Sequence, residues 1–302
     1  VILMDELTDY VTKAAGVEGK NLESQTISFL QELTEVVSNM DKVSLVVTLP
    51  QSPYERSGEA ADELYEEIYE KVKRRVGRVE EAWTPIEEDE IYDVVSKRLF
   101  KEPDSDEDVK KTIDSFTKMY DELGDKVKNE VQDPEYRERM NKSYPFHPEV
   151  IDALYQKWGS LPKFQRTRGV LRLLALVIRQ LYDEQPHAPL IQAGDINFNN
   201  DRIQSEVLRY LDDETWRAVI SSDIGNIPQK IDSELGTEYE RENLALKLSR
   251  AIFLYSHHSG DNRGTNIEEL RAAVLKPDFD SSVFVTEVIR RFKGYGVFWI
   301  LD

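Results

Sequence analysis

The chain has 302 residues, is 40% hydrophobic and 32% charged, and carries a net charge of −19. That length and composition suggest two or three domains with sizeable cores and exclude a disordered chain. The absence of cysteine excludes a disulfide framework and a thiolate zinc site and fits a reducing, cytoplasmic setting, while the lack of an 18-residue apolar run predicts no helical membrane span.

The chain opens on Val1-Ile2-Leu3-Met4-Asp5-Glu6. Four apolar residues in a row predict a strand buried on both faces, as in the middle of a parallel α/β sheet. Ligands of such sheets lie beyond the carboxyl ends of the strands, where Asp5 and Glu6 fall. Paired carboxylates at that place suit phosphate hydrolysis, in which the first holds Mg²⁺ and the second polarises the water that attacks a γ-phosphate. This is the form of a Walker B motif. A chain opening inside a strand on Val1 also reads as a piece of something longer.

A helix is predicted to Ala15, then a second from Leu22 to Met40 with Ile27, Leu30, Leu33, Val37 and Met40 on one face. Val43 to Leu49 reads as a second short strand, parallel to the first and ending in Thr48. A hydroxyl there can orient a water beside Asp5. Residues 54–75 form a charged helix ending in a basic cluster that includes Arg74, Arg75 and Arg78; Trp83-Thr84-Pro85 follows, then a helix from Ile91 to Phe100 with Arg98 in its last turn. Residues 101–142 are helical, with an apolar stripe of Ile113, Phe116, Met119, Tyr120 and Leu123.

Tyr144-Pro145-Phe146-His147-Pro148 marks a boundary. Helices are predicted over Glu149–Trp158 and Gly169–Leu181, the second carrying or flanked by Arg166, Arg168, Arg172 and Arg179. Guanidinium groups suit phosphate contact, although the many carboxylates offer them ordinary ion pairs. Three short helices fill 200–240, with Trp216 as a core anchor. Helices over Arg241–Tyr255, Ile267–Leu275 and Val283–Phe292, then a strand over Gly294–Leu301, have the layout of a winged helix. From Ala245 to Asp302 the chain has 8 basic and 7 acidic residues. The third helix carries Arg290, Arg291 and Lys293, a candidate DNA-contacting set, although acidity elsewhere repels nucleic acid. His257-His258 lacks further ligands at metal-binding spacing.

In this order the pieces resemble the later part of an AAA+ ATPase of the replication-initiator branch. The resemblance implies a mainly α chain with an α/β remnant. Its parts are a partial core over 1–100, a helical insertion over 101–143, a helical lid with linker helices over 144–240, and a winged helix over 241–302. It implies Asp5 as the Mg²⁺ carboxylate, Glu6 as base and Thr48 as sensor 1. It further implies Arg172 and Arg168 in the lid as nucleotide sensors, with Arg75 or Arg78 as an arginine finger acting on a neighbouring subunit. More narrowly, Tyr144 to Glu149, Phe164 to Ala175, Lys97 to Phe100 and Ile267 to Arg271 are similar to prokaryotic ATPases of domain-of-unknown-function family 499. ATP-driven work on DNA or a protein–DNA complex, in a homo-oligomer, is what that resemblance implies. One element is missing from the 302 residues: the Gly-rich loop ending Gly-Lys-Thr/Ser that cradles the phosphates. ATP and Mg²⁺ are therefore expected only together with an upstream phosphate-binding region, and none for this polypeptide alone. The competing expectation is a non-catalytic module for binding DNA or protein.

Overall fold

The structure is a computed structural model that describes residues 1–15, 21–49, 63–76, 90–101, 105–161, 163–184, 189–257, 264–277 and 282–297. It is mainly α and divides into two compact units, Val1–Pro85 and Ile86–Asp302.

In the first unit, β1 (Ile2–Met4) and β2 (Leu45–Val47) pair in parallel, Met4 opposite Val47. Side chains alternate across a strand. Met4 and Val47 therefore pack on a small core of Leu7 and Val11 from α1 (Leu7–Ala15), Leu30 from α2 (Leu22–Ser38), and Ile68 and Val72 from α3 (Glu63–Val76). Leu3 and Val46 point the other way and are exposed, 68% and 47%. The expectation of burial on both faces is thus met on one face only. In α2 only Leu30 is fully buried; Met40 lies past the helix end and is exposed.

In the second unit, α4 (Glu90–Leu99) buries Ile91, Tyr92 and Val95 at helical spacing. Ser105 caps α5 (Asp106–Leu123) by accepting from the Asp108 amide. The stripe on α5 packs with α6 (Pro134–Ser143) in a satellite core of Ile113, Phe116, Tyr120, Val131, Tyr136 and Met140. Proline at the first turn starts α7 (Pro148–Asp152), which runs on through a π-helical turn, Ala153–Lys157. The long α8 (Arg166–Glu184) and α9 (Asp201–Leu211) follow. Next come α10 (Trp216–Ser221), a π-helical turn over Ser222–Asn226, α11 (Ile227–Leu235) and α12 (Thr237–Glu242). The 200–240 stretch thus holds more, shorter pieces than the predicted three.

The centre of this unit is α13 (Leu244–Ser256), buried almost all round, as a helix apolar on every side requires. The Trp158 indole donates to the Leu254 carbonyl at 2.8 Å. Trp216 packs edge-on against Phe253 and His257, ring centroids 6.0 and 4.9 Å away. His257 is part of that aromatic core; His258 lies outside the described residues, which contain no group of three metal-ligating side chains. α14 (Ile267–Val274) and α15 (Ser282–Tyr295) pack on α13 and on each other. α15 continues through Gly294 and Tyr295, so the start of the predicted wing strand is helical. Residues 298–302 lie outside the described residues. No helix among the described residues is long and apolar enough to cross a membrane.

Candidate functional site

Two sites take shape, one in each unit. The first lies at the carboxyl edge of β1 and β2. The register that pairs Met4 with Val47 sets Thr48 beside Asp5, and the Thr48 amide extends the ladder to the Met4 carbonyl at 2.9 Å. Thr48 Oγ1 donates to Asp5 Oδ1. The Glu6 amide is within 3.1 Å of the same carboxylate oxygen and 3.4 Å of the Thr48 hydroxyl. Glu6 has a φ of +53°, the left-handed region that non-glycine residues seldom occupy. All three side chains are open to solvent.

The arginines singled out in the sequence are dispersed. Arg172, on α8, pairs at 2.9 Å with Glu206, a nearly buried carboxylate of α9 that also takes Arg209 at 2.5 Å. Arg168, on the same helix, is exposed. Arg75 lies on α3 with its side chain outside the description, and Arg78 and Trp83-Thr84-Pro85 lie outside the described residues. On α15, Arg290 grips Glu287 through two nitrogens, at 2.6 and 2.9 Å, and Arg291 meets the same carboxylate at 3.2 Å. Those bonds, Arg290 first, hold the Glu287 carboxyl down to about 2. Lys293 is exposed.

The second site escaped the sequence reading. Glu149 and Asp152 stand three residues apart on α7, hence on one face. Glu149 is buried and fully bonded: Lys128 reaches it at 2.5 Å, the Tyr136 hydroxyl at 3.0 Å and the Tyr255 hydroxyl at 2.8 Å. Burial alone would raise its pKa, but the charge of Lys128 and the hydrogen bonds from Lys128 and Tyr255 outweigh burial and hold it below the usual carboxylate range. Asp152 takes Arg139 and the Tyr92 hydroxyl. Burial, reinforced by the charge of Glu149, pushes Asp152 up to about 6. Arg139 also lies over the rings of Tyr92 and Tyr136, 5.9 and 5.1 Å from their centroids, and binds Glu130.

His147 caps the start of α7. Its Nδ1 accepts from the Glu149 amide at 3.4 Å, and Nε2 lies 2.7 Å from the Tyr120 hydroxyl, which donates to the Ala272 carbonyl at 3.1 Å. The ring therefore carries its proton on Nε2 and is neutral. Burial lowers its pKa to about 4. Around this network is a cavity of about 470 Å³. The hexapeptide Tyr144 to Glu149 carried the sequence signal for the site, and it read as an element boundary and as a likeness to family 499 rather than as a set of interacting side chains.

A family model described as the DUF499 second domain matches residues 86–290, more than half of the chain. The chain belongs to the DUF499 family. The match begins where the second compact unit begins, so the buried Glu149 network lies wholly within the DUF499 second domain and the Asp5–Glu6–Thr48 edge outside that match. No curated protein and no solved structure matches the chain.

Proposed function

We propose that the first unit carries the metal- and water-handling half of an AAA+-type ATP-hydrolysing centre, in a protein that couples hydrolysis to work on DNA or a protein–DNA complex. The observation that carries this is the strand register, which sets Thr48 beside Asp5 and Glu6 at the carboxyl edge of parallel strands. Asp5 offers one carboxylate and Thr48 one hydroxyl. Such a sparse donor set suits Mg²⁺ shared with nucleotide phosphates and water rather than caged by protein. Bound there, the ion would neutralise charge developing on the phosphates. Glu6, next to Asp5 at the strand end, accepts the proton of the attacking water. Thr48 fixes Asp5 through its hydrogen bond and orients the water.

Arg172 and Arg168 would sense the nucleotide from the lid and Arg75 or Arg78 would act on a neighbouring subunit. Arg172 would first have to leave Glu206. The phosphate cradle is not in this sequence, so this polypeptide by itself is not expected to turn over ATP. The test uses a longer polypeptide that includes an upstream Gly-Lys-Thr/Ser loop. There Glu6→Gln binds ATP and stalls, with kcat down about 100-fold or more, the scale of a lost general base. Turnover equal to wild type removes Glu6 from the mechanism, and micromolar ATP affinity in the 302-residue chain refutes the half-site reading.

A second reading, a winged-helix binding module, draws on the packing of α13, α14 and α15 and on the exposed Lys293. Arg290 and Arg291 reach a DNA phosphate only by giving up Glu287. A low-salt DNA shift abolished by Arg290→Ala with Arg291→Ala supports this reading; no shift at low salt ends it.

A further inference from the structure

Helix α13 carries two cations one turn apart, Lys247 and Arg250, hence on one side. Both lie over the 3₁₀ turn Ala193–Asp195. A Cβ built on Gly194 would fall 2.6 Å from the Lys247 Cβ, so only glycine lets the lysine stem run this close to the turn. Arg250 Nη1 donates to the Gly194 carbonyl at 3.2 Å. The same turn touches the end of α14. The Gln192 side-chain amide donates to the Leu275 carbonyl at 2.8 Å, and Lys276 is the next residue. Lys276 brings its ammonium within hydrogen-bonding reach of that of Lys247.

Three separate segments thus set three cations around one turn. None of the three has an ion pair among the described residues, in a chain with 58 carboxylates. The carboxylates near them are turned elsewhere. Asp195 accepts from the Gln192 amide at 2.9 Å. Glu184 takes the Gln180 and Asn197 side chains at 2.8 and 3.3 Å. Glu242 takes Arg241 at 3.2 Å.

Two observations point to a missing anion. Two ammonium groups in reach of each other repel when both are charged. Burial, and then the charge of Lys276, lower Lys247 to about 8. Independently, the Arg250 Nε–H is enclosed by protein and has no acceptor. Buried donors are seldom left so. An oxyanion seated on the turn removes the repulsion and supplies the acceptor. Its size is limited by the surroundings. Asp195, Glu184 and Glu242 flank the cluster and would face the successive phosphates of a nucleic-acid backbone. A single phosphate or pyrophosphate group meets the cations alone.

We propose that Lys247, Arg250 and Lys276 form a site for the phosphate or pyrophosphate group of a small ligand, held over the Gly194 turn. The site lies in the second unit and does not rest on the hydrolytic reading.

The test is titration calorimetry of the full 302-residue chain with pyrophosphate at low salt. No divalent cation is added, so the Asp5 edge has no metal through which to hold a phosphate. Saturable binding with a matching rise in melting temperature is expected. Lys247→Met with Lys276→Gln keeps an unbranched stem over Gly194 and should weaken pyrophosphate about tenfold or more, the scale of lost charge-assisted bonds. Lys97→Gln with Lys110→Gln, at exposed positions on α4 and α5, makes the same change in net charge and should leave affinity within about twofold of wild type. Should the first pair melt early, Lys276→Gln alone, beyond the end of α14, gives the reading and should weaken binding about threefold or more. No saturable heat at millimolar pyrophosphate overturns the site. So does equal weakening by the two pairs, which means diffuse attraction, or undiminished affinity in the Lys247 and Lys276 variants. Duplex DNA that displaces pyrophosphate with higher affinity assigns the cations to a nucleic-acid backbone and overturns the small-ligand site.

Discussion

Replacing Gly169 with alanine sets two effects of opposite sign against each other. Gly169 lies inside α8, where alanine is favoured over glycine by about 1 kcal/mol. Propensity alone therefore predicts stabilisation. The structure predicts the reverse. A Cβ at 169 would lie 2.0 Å from the Phe164 carbonyl oxygen and 2.9 Å from the Phe164 ring. An ordinary contact needs about a further ångström, and the obstacle is backbone. Phe164 is fully buried, its ring edge-on to Tyr210 at 4.8 Å and tilted against Trp158 at 6.0 Å. Moving it loosens two aromatic pairs worth about 0.5–1.5 kcal/mol each, besides overpacking at about 1–3 kcal/mol. After the propensity gain is subtracted, a net loss of about 1–5 kcal/mol remains. For a domain of this size that lowers the melting temperature by roughly 2–20 °C. Thermal unfolding followed by circular dichroism measures it. Gly294→Ala in α15 is the control: its Cβ meets nothing within 4 Å, so it should be neutral or stabilising. A Gly169→Ala protein that melts at or above wild type refutes the packing argument and leaves helix propensity in command.

Three further outcomes follow from the buried groups. Arg139→Leu strips Asp152 of its cation and should cost about 2–4 kcal/mol, somewhat under the value for a fully buried pair because 24% of the arginine side chain is exposed. Urea midpoints check it, and adding Asp152→Asn should restore part of the loss. Asp232 accepts from the Ala245 and Leu246 amides at 2.7 and 3.2 Å and so caps α13 from a neighbouring helix; Asp232→Ala should cost about 1–3 kcal/mol and Asp232→Asn clearly less, by the same measurement. The pH profile carries two opposed contributions. His147 is neutral in the fold, with its pKa at about 4, but protonates below about 6.5 when unfolded, so its stabilisation is lost as pH falls through that window. Asp152, at about 6, takes its proton earlier in the fold than in the unfolded chain, so it adds stability as pH falls from about 6 to about 4. The two offset below pH 6. Asp152→Asn removes one of them, and its stability relative to wild type should fall toward pH 4 by on the order of 1.4 kcal/mol per unit. Parallel urea midpoints for the two proteins between pH 4.5 and 6 would contradict this.

Periodic features were legible before the structure. The apolar strides of α2, α5 and α8 and the two strands follow from local rules, and the structure places α2, α8 and the strands within a few residues of their predicted bounds. The edge at Asp5 and Thr48 was legible because parallel pairing of two short strands leaves one register for their ends. The network around Glu149 was not. Its members, Lys128, Tyr136, Tyr255 and Glu149, come from four separate segments, and no spacing rule links a lysine to a carboxylate 21 residues on or a tyrosine 106 residues on. Arg172 shows the opposite error of scale: a guanidinium suited to phosphate lies in an ordinary pair with Glu206. The π-helical turns at Ala153–Lys157 and Ser222–Asn226 have no local signature, since they arise where one helix adjusts to its neighbours.

The bond from the Tyr255 hydroxyl to Glu149 also sets a clock for synthesis of the chain. Glu149 leaves the ribosome 106 residues before its partner. At roughly 5–20 residues per second, that is a wait of about 5–20 seconds. Trp158 waits almost as long for the Leu254 carbonyl, and Tyr120 longer still for that of Ala272. Until α13 arrives, the nascent helices α4 to α8 present an unfinished carboxylate site and an open apolar face together. The domain is therefore completed from its C-terminal end, and a stalled or truncated translation product lacking that end is the species a cell's chaperones and proteases would meet.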